Sequence, residues 1–73
     1  MALIKINSLT NTEFAVLIRV LNLFGENLPV RAHPHNLKVF TVAQTMPACE
    51  NALNDPTMSD SGKDYVLDIM DKI

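Results

Sequence analysis

The segment from Asn11 to Phe24, which reads NTEFAVLIRVLNLF, most constrains what this chain can fold into. Apolar residues recur in it at helical spacing, so the segment predicts a helix. At 100° per residue they cover roughly 220° of the circumference, whereas a helix at the surface of a domain needs an apolar arc of only ~100° or somewhat more. The helix therefore carries more apolar surface than one neighbouring element can cover.

Two stripes make up this apolar surface. The first stripe consists of Phe14, Leu17, Ile18 and Leu21. The second stripe consists of Val16, Val20 and Leu23, and Phe24 lies between the two. We expect the first stripe to pack inside the chain, which leaves the second stripe for another surface.

The length of the chain, 73 residues, limits how much of the second stripe it can cover by itself. In a single domain spanning residues 1–73, buried apolar area only roughly offsets the entropy lost on folding. Cys49 is the only cysteine, so no internal disulfide can add stability. Contiguous exposed apolar surface usually marks an interaction site, most often a two-fold dimer. We therefore predict a homodimer, with complete burial inside the chain as the alternative. The self-association residues are Val16, Val20, Leu23 and Phe24.

Local signals place both ends of this helix. Thr10 precedes Glu13 by three residues, which is the spacing of a capping box. Leu9 and Phe14 occupy the two positions of a hydrophobic staple. Gly25 supplies the left-handed residue that ends many helices. The sequence thus predicts a first helix over residues 11–24.

The remainder of the chain indicates further short elements. Residues 37–45 predict a helix capped by Asn36, although a strand is also compatible with them. Pro47 is predicted to stop that helix or to begin another at its first position, and residues 47–54 are predicted to form a short helix. A last helix follows, and its candidate caps are Ser59, Asp60 and Ser61.

The N-terminal residues add one β element to this pattern. Residues 2–6 can form a short strand, with residues 29–33 as its partner. The predicted fold class is mainly α: a small bundle of three to four helices, to which this short N-terminal β element can be added.

The last helix has an apolar side and an acidic side. Its apolar residues are Tyr65, Val66, Ile69, Met70 and Ile73. Asp64, Asp68 and Asp71 lie on the opposite side. The chain has a formal net charge of −2, which argues against general nucleic-acid binding. We predict that the three aspartates bind a partner protein, with a simple solvated face as the alternative.

Candidate chemical groups are few. His33 and His35 flank Pro34, and in an extended segment their rings point to opposite sides, which makes a poor metal pair. Cys49 together with a histidine is the minimal outline of a thiol nucleophile. Its apolar surroundings are more typical of a small buried residue.

Residues 57–68 have the length of a calcium loop. Positions one, three and five of that loop are Thr57, Ser59 and Ser61 rather than carboxylates, so the charge that holds calcium is missing. Helix capping explains these residues better. The sequence therefore predicts no catalytic residue, no cofactor and no metal site.

Residues 8–26, SLTNTEFAVLIRVLNLFGE, resemble the first helix of winged-helix DNA-binding domains of the response-regulator type. The matching residues are Leu9, Thr10, Glu13, Phe14, Leu17, Leu21 and Gly25. The resemblance implies a DNA-binding transcription regulator. After Gly25 there is no basic recognition helix, and an acidic helix stands where the hairpin wing belongs.

The chain lacks the sequence features of a membrane or exported protein. No apolar run approaches the length of a bilayer span, and the first residues lack a signal-peptide pattern, so we predict a cytoplasmic protein. The features together indicate a small non-catalytic interaction module, a regulator or inhibitor like those among phage accessory proteins. It is expected to bind itself through the first helix. It is also expected to bind an unidentified protein through the acidic last helix or through the RAHPH loop at residues 31–35. A winged-helix-like DNA-binding regulator is the alternative.

Overall fold

A computed structural model describes residues 2–73 of the chain. Helix α1 spans Asn11–Phe24, α2 spans Val42–Leu53 and α3 spans Asp60–Lys72. Each helix packs against both of the others. Short 3-10 turns at Ile6–Ser8 and Leu37–Val39 precede α1 and α2. The prediction of a mainly helical fold, with its helices packed into a small bundle, is confirmed.

Helix α1 has the predicted bounds because its first turn is capped as predicted. The backbone N–H of Glu13 donates to Oγ1 of Thr10 at 3.2 Å. In return, the N–H of Thr10 donates to Oε1 of Glu13 at 2.8 Å. These two bonds satisfy N–H groups that have no partner inside the helix, which fixes where α1 begins.

Gly25 ends α1 for a different reason from the one predicted. Its backbone is extended, with φ −76°, and the left-handed residue of this turn is Asn27, with φ 59°. A Cβ atom on Gly25 would press against the carbonyl oxygen of Leu21 and lie 2.6 Å from Cδ1 of Leu28. Glycine is required because the Leu21 carbonyl oxygen is a backbone atom that cannot move aside, and the Leu28 side chain also folds back against the helix end.

Helix α2 joins two elements that the sequence predicted separately. Thr41 and Gln44 form a second capping box, with backbone-to-side-chain bonds of 3.0 and 3.1 Å. The predicted helix over 37–45 is wrong at its start, where Leu37–Val39 is a 3-10 turn. The predicted helix boundary at Pro47 is also wrong, because Pro47 lies inside α2. Pro47 is exposed, so water can reach the carbonyl group that loses its partner.

The segment before α2 is held by two asparagine side chains. Asn36 does not cap the 3-10 turn as predicted. Instead, its Oδ1 accepts from the N–H of His33 at 2.7 Å, and its Nδ2 donates to the carbonyl oxygen of Arg31 at 2.9 Å. From α1, the Asn22 side chain bonds both the N–H and the carbonyl oxygen of Ala32. These bonds use the backbone groups that a strand partner would need.

The N-terminal residues pair with the start of α2 rather than with residues 29–33. Leu3 and Thr41 form an isolated antiparallel bridge. The N–H of Ile4 donates to the carbonyl oxygen of Phe40 at 3.2 Å. The predicted strand partner is therefore wrong. Residues 2–73 contain no β-strand, so the described chain has no hairpin of the winged-helix kind.

Helix α3 begins after Ser59, one of the predicted caps, whose Oγ accepts from the N–H of Gly62 at 3.1 Å. The largest fully buried apolar side chains come from α1, α3 and the segment before α2, and they are Leu17, Val20, Leu21, Leu37, Phe40, Val66 and Ile69. On α2 the buried residues are small, namely Thr45, Ala48, Cys49 and Ala52. Small residues allow α2 to lie close to its neighbours.

Candidate functional site

An open apolar groove of about 560 Å³ runs beside α1. Its α1 side is formed by Val16, Val20, Leu23 and Phe24, the four residues predicted to mediate self-association. The opposite side is formed by the connection between α2 and α3 and the first turn of α3, through Asp55, Thr57, Met58, Ser59 and Gly62. Arg19 completes the lining. The structure thus brings the second apolar stripe of α1 together with a segment that the sequence marked only as a rejected calcium loop and as helix caps.

The four α1 residues differ in how much of each remains exposed. Leu23 is 68% exposed, the largest value among the exposed large apolar residues of the described chain. Val16 and Phe24 are half-buried. Val20 is only 1% exposed. The expectation that the whole stripe is left uncovered is therefore wrong for Val20, which forms part of the floor of the groove.

Chain outside the helices lies across the groove from Val20. From the sequence, a chain of 73 residues was expected to leave the second stripe of α1 uncovered. The connection between α2 and α3 supplies an additional wall, with Met58 half-buried in it. Leu23 lies nearer the end of α1, and this wall leaves most of its side chain uncovered.

One cation and one carboxylate lie among the apolar residues of the groove. Asp55 is held by Thr57, whose N–H and Oγ1 both donate to Asp55 Oδ1 at 2.9 Å. Arg19 is exposed. Within residues 2–73 the one ion pair joins Lys72 to Glu13, so Arg19 and Asp55 are not paired with each other. Thr57 and Ser59, which occupy ligand positions of the calcium loop considered from the sequence, are thus engaged in the turn and in the α3 cap.

The predicted partner-binding residues form an exposed face on α3. Asp64, Asp68 and Asp71 are all exposed. Two apolar side chains accompany them: Leu67 is 53% exposed and Tyr65 is 39% exposed. Tyr65 was predicted on the buried side, and it instead borders a shallow depression with Ser61, Asp64 and Asp68. Partner binding by this face stays a prediction.

Glu13 has a second role that the sequence did not reveal. Its Oε1 accepts from Nζ of Lys72 at 2.7 Å, which ties the first turn of α1 to the last turn of α3. The Lys72 ammonium, together with the N–H of Thr10, holds the pKa of the Glu13 carboxyl below its ordinary value. The two residues are 59 positions apart, and only the capping box marked Glu13 in the sequence.

His33 and His35 do not point to opposite sides as predicted. Their rings are parallel, with an interplanar angle of 4° and centroids 5.4 Å apart. The cause is a turn that follows His33, stabilised by Asn36, where the prediction assumed extended chain. Ring lone pairs lie in the ring planes, so stacked rings do not aim them at one common ion. Residues 2–73 contain no group of three or more His, Cys, Asp or Glu side chains placed to hold a metal.

Cys49 is fully buried in the core. Its burial, and to a smaller extent the charge of Glu50, raises the pKa of the thiol to about 11. A thiol nucleophile needs a lowered pKa and access to solvent. Cys49 is therefore protonated at neutral pH and packed as a small apolar residue.

Comparison of the chain with known families, with curated proteins and with solved structures finds no match. None of the helices in residues 2–73 combines the length and the apolar content needed to cross a membrane.

Proposed function

We propose that this protein is a small non-catalytic interaction module that forms a homodimer through the groove beside α1. The observation that carries the proposal is Leu23, a large apolar side chain left 68% exposed at the edge of a concave apolar surface. Single exposed leucines are ordinary, but an exposed one that continues an apolar groove is typical of an interaction site. Burying that surface against a second chain removes it from water.

The chemistry of the remaining side chains supports binding rather than catalysis. The one thiol of the chain is buried and protonated. Asp55, the carboxylate in the groove, accepts two hydrogen bonds from Thr57, which gives it a role in the turn. A buried, protonated thiol is not the activated nucleophile that covalent catalysis requires.

A second surface offers a place for a partner protein. The α3 face combines Asp64, Asp68 and Asp71 with Leu67, so charge can steer a basic partner while the leucine adds apolar contact. A dimer would present this face twice. We propose a cytoplasmic regulator or inhibitor of this kind, similar in character to phage accessory proteins.

Self-association is tested by sedimentation velocity and light scattering on the full chain over a wide concentration series. We expect the mass of two chains at the higher concentrations, with reversible dissociation on dilution. A mass of one chain at every concentration would contradict the dimer.

Partner binding by α3 is tested by capture from the native lysate with the triple variant Asp64→Asn, Asp68→Asn, Asp71→Asn. The control carries Glu26→Gln and Glu50→Gln, which remove exposed carboxylates elsewhere on the chain. A partner of this face is retained by the wild type and the control, and it is lost from the triple variant. Equal capture by all three proteins would reject the α3 face as the binding surface.

A further inference from the structure

We infer that the groove is completed by a second copy of the chain in one defined arrangement: Leu23 of each copy fills the groove of the other, and Arg19 of each copy faces Asp55 of the other. This inference rests on the proposed homodimer. Beyond the homodimer itself, the inference names the residue that the second copy inserts into the groove. It also names the charged residues that fix how the two copies are oriented.

The charges of the groove narrow the choice of occupant. Arg19 and Asp55 line the same groove, and neither is paired with the other within residues 2–73. An occupant that satisfies both must bring a carboxylate and a cation, with apolar surface between them. A partner of one charge sign satisfies only one of the two and places a like charge beside the other.

A second copy carries the required set by symmetry. In a two-fold dimer the same surface patch meets itself, so a residue at one place on the first chain contacts a different place on the second, and the contact occurs twice. If Arg19 faces Asp55 across the dimer, Asp55 faces Arg19 in return. Both charges of both grooves are then matched.

Leu23 supplies the apolar part of this arrangement. It lines its own groove, yet most of its side chain is exposed, so it is free to enter a second groove. The volume of about 560 Å³ lies within the range of cavities that hold ligands of moderate size. It has room for a leucine with parts of neighbouring side chains.

The far wall of the groove is suited to receiving such a side chain. Met58 is half-buried there, and its flexible thioether adapts to an incoming apolar group. Gly62 adds no side chain to the wall. A Cβ atom on Gly62 would lie 3.1 Å from Oγ of Ser59 and 3.4 Å from Sδ of Met58. A side chain at position 62 would thus contact Met58 and the Ser59 cap.

Charge reversal tests the arrangement. In Arg19→Asp, two carboxylates meet at each contact, and in Asp55→Arg, two cations meet. We expect each single variant to dimerise roughly 10- to 100-fold more weakly than the wild type, because both symmetric contacts become repulsive. An equimolar mixture of the two variants is expected to form a heterodimer, since each contact then joins opposite charges. The double variant should regain the homodimer.

Arg31→Asp is the matched control for the change in charge. Arg31 is exposed like Arg19, but it lies outside the groove. We expect its dimer affinity to stay within about 2-fold of the wild type. The comparison of Arg19→Asp with Arg31→Asp does not depend on Asp55, so it still tests whether Arg19 lies at the dimer contact if Asp55→Arg loses its turn and fails to fold.

The outcomes separate this inference from the proposed function. A wild type that remains monomeric at all concentrations overturns both the inference and the dimer. A wild-type dimer that Arg19→Asp and Arg31→Asp affect equally, with no heterodimer in the mixture, overturns the arrangement and leaves self-association standing. A dimer weakened by Arg19→Asp alone and restored in the mixture supports it.

Discussion

Leu23 on α1 and Leu67 on α3 are the same residue type with similar exposure, 68% and 53%, in opposite surroundings. Leu23 continues an apolar groove, whereas Leu67 shares its helix face with aspartates. Exposure alone therefore does not identify a self-association surface. What distinguishes Leu23 is that its neighbours are also apolar and form a concave surface, so a second chain can bury them together.

The largest expected effect is a difference in the free energy of unfolding between variants in the first stripe of α1 and variants in the second stripe. Leu21 is fully buried, so Leu21→Ala should lower the free energy of unfolding by about 2–5 kcal/mol through lost burial and the cavity that remains. Leu23→Ala should change the stability of the monomer by less than about 0.5 kcal/mol. Urea unfolding at a concentration where the chain is monomeric measures both. Equal losses would mean that Leu23 is part of the core.

A smaller effect distinguishes the starts of α1 and α3. The α1 cap is reciprocal, because Thr10 and Glu13 each bond the backbone of the other. The α3 cap is one-sided, because the residue in the place of Glu13 is Gly62. We expect Thr10→Ala to cost about 1–2 kcal/mol and Ser59→Ala about 0.5–1 kcal/mol. The reverse order in thermal or urea unfolding would contradict this account of the two caps.

The smallest effect concerns the ion pair that joins α1 to α3. The pKa of Glu13 is lower in the folded chain than its ordinary value of 4.5, so the folded state binds fewer protons at this group than the unfolded state. The pair therefore stabilises the fold above that value, and its contribution is lost as the pH falls through the lowered pKa.

Lys72→Met removes the main cause of this shift. We expect the variant to unfold more easily than the wild type at neutral pH, with a difference that shrinks as the solution is acidified. Lys63→Met is the control, because Lys63 lies on the same helix and makes no ion pair within residues 2–73. Urea unfolding at several pH values makes the comparison. A difference between the wild type and Lys72→Met that is independent of pH would reject the linkage.

The sequence predicted features that depend on neighbouring residues and missed those that depend on distant ones. The bounds of α1 follow from a capping box within four residues, so they were predictable. Pro47 was predicted at a helix boundary because proline removes a backbone hydrogen bond. It lies inside α2 instead, where it is exposed, and that exposure depends on how the helices pack. Gly25 is a partial exception: its place was predicted, but the cause lies in the local path of the chain, which brings the Leu21 carbonyl oxygen and the Leu28 side chain against the position of a Cβ atom.

In the candidate site, too, features that depend on nearby residues were predictable and features that depend on distant residues were not. Periodicity along α1 identified the residues on one side of the groove. It could not show that the connection between α2 and α3 forms the other side, or that Val20 is buried while Leu23 stays exposed. The pairing of Glu13 with Lys72 was equally out of reach, because two charges so far apart in sequence meet only through the packing of α1 against α3.

The most direct test of the central claim is the dimer affinity of Leu23→Asp beside that of Leu67→Asp, measured by sedimentation equilibrium. Both variants place the same charge on an exposed leucine position, so solubility and net charge change equally. We expect Leu23→Asp to weaken dimerisation by at least ~100-fold, because each copy would bury a carboxylate in an apolar groove, and Leu67→Asp to leave it within about 2-fold. Equal affinities for the two variants would contradict the claim that the groove beside α1 is where two copies of this protein meet.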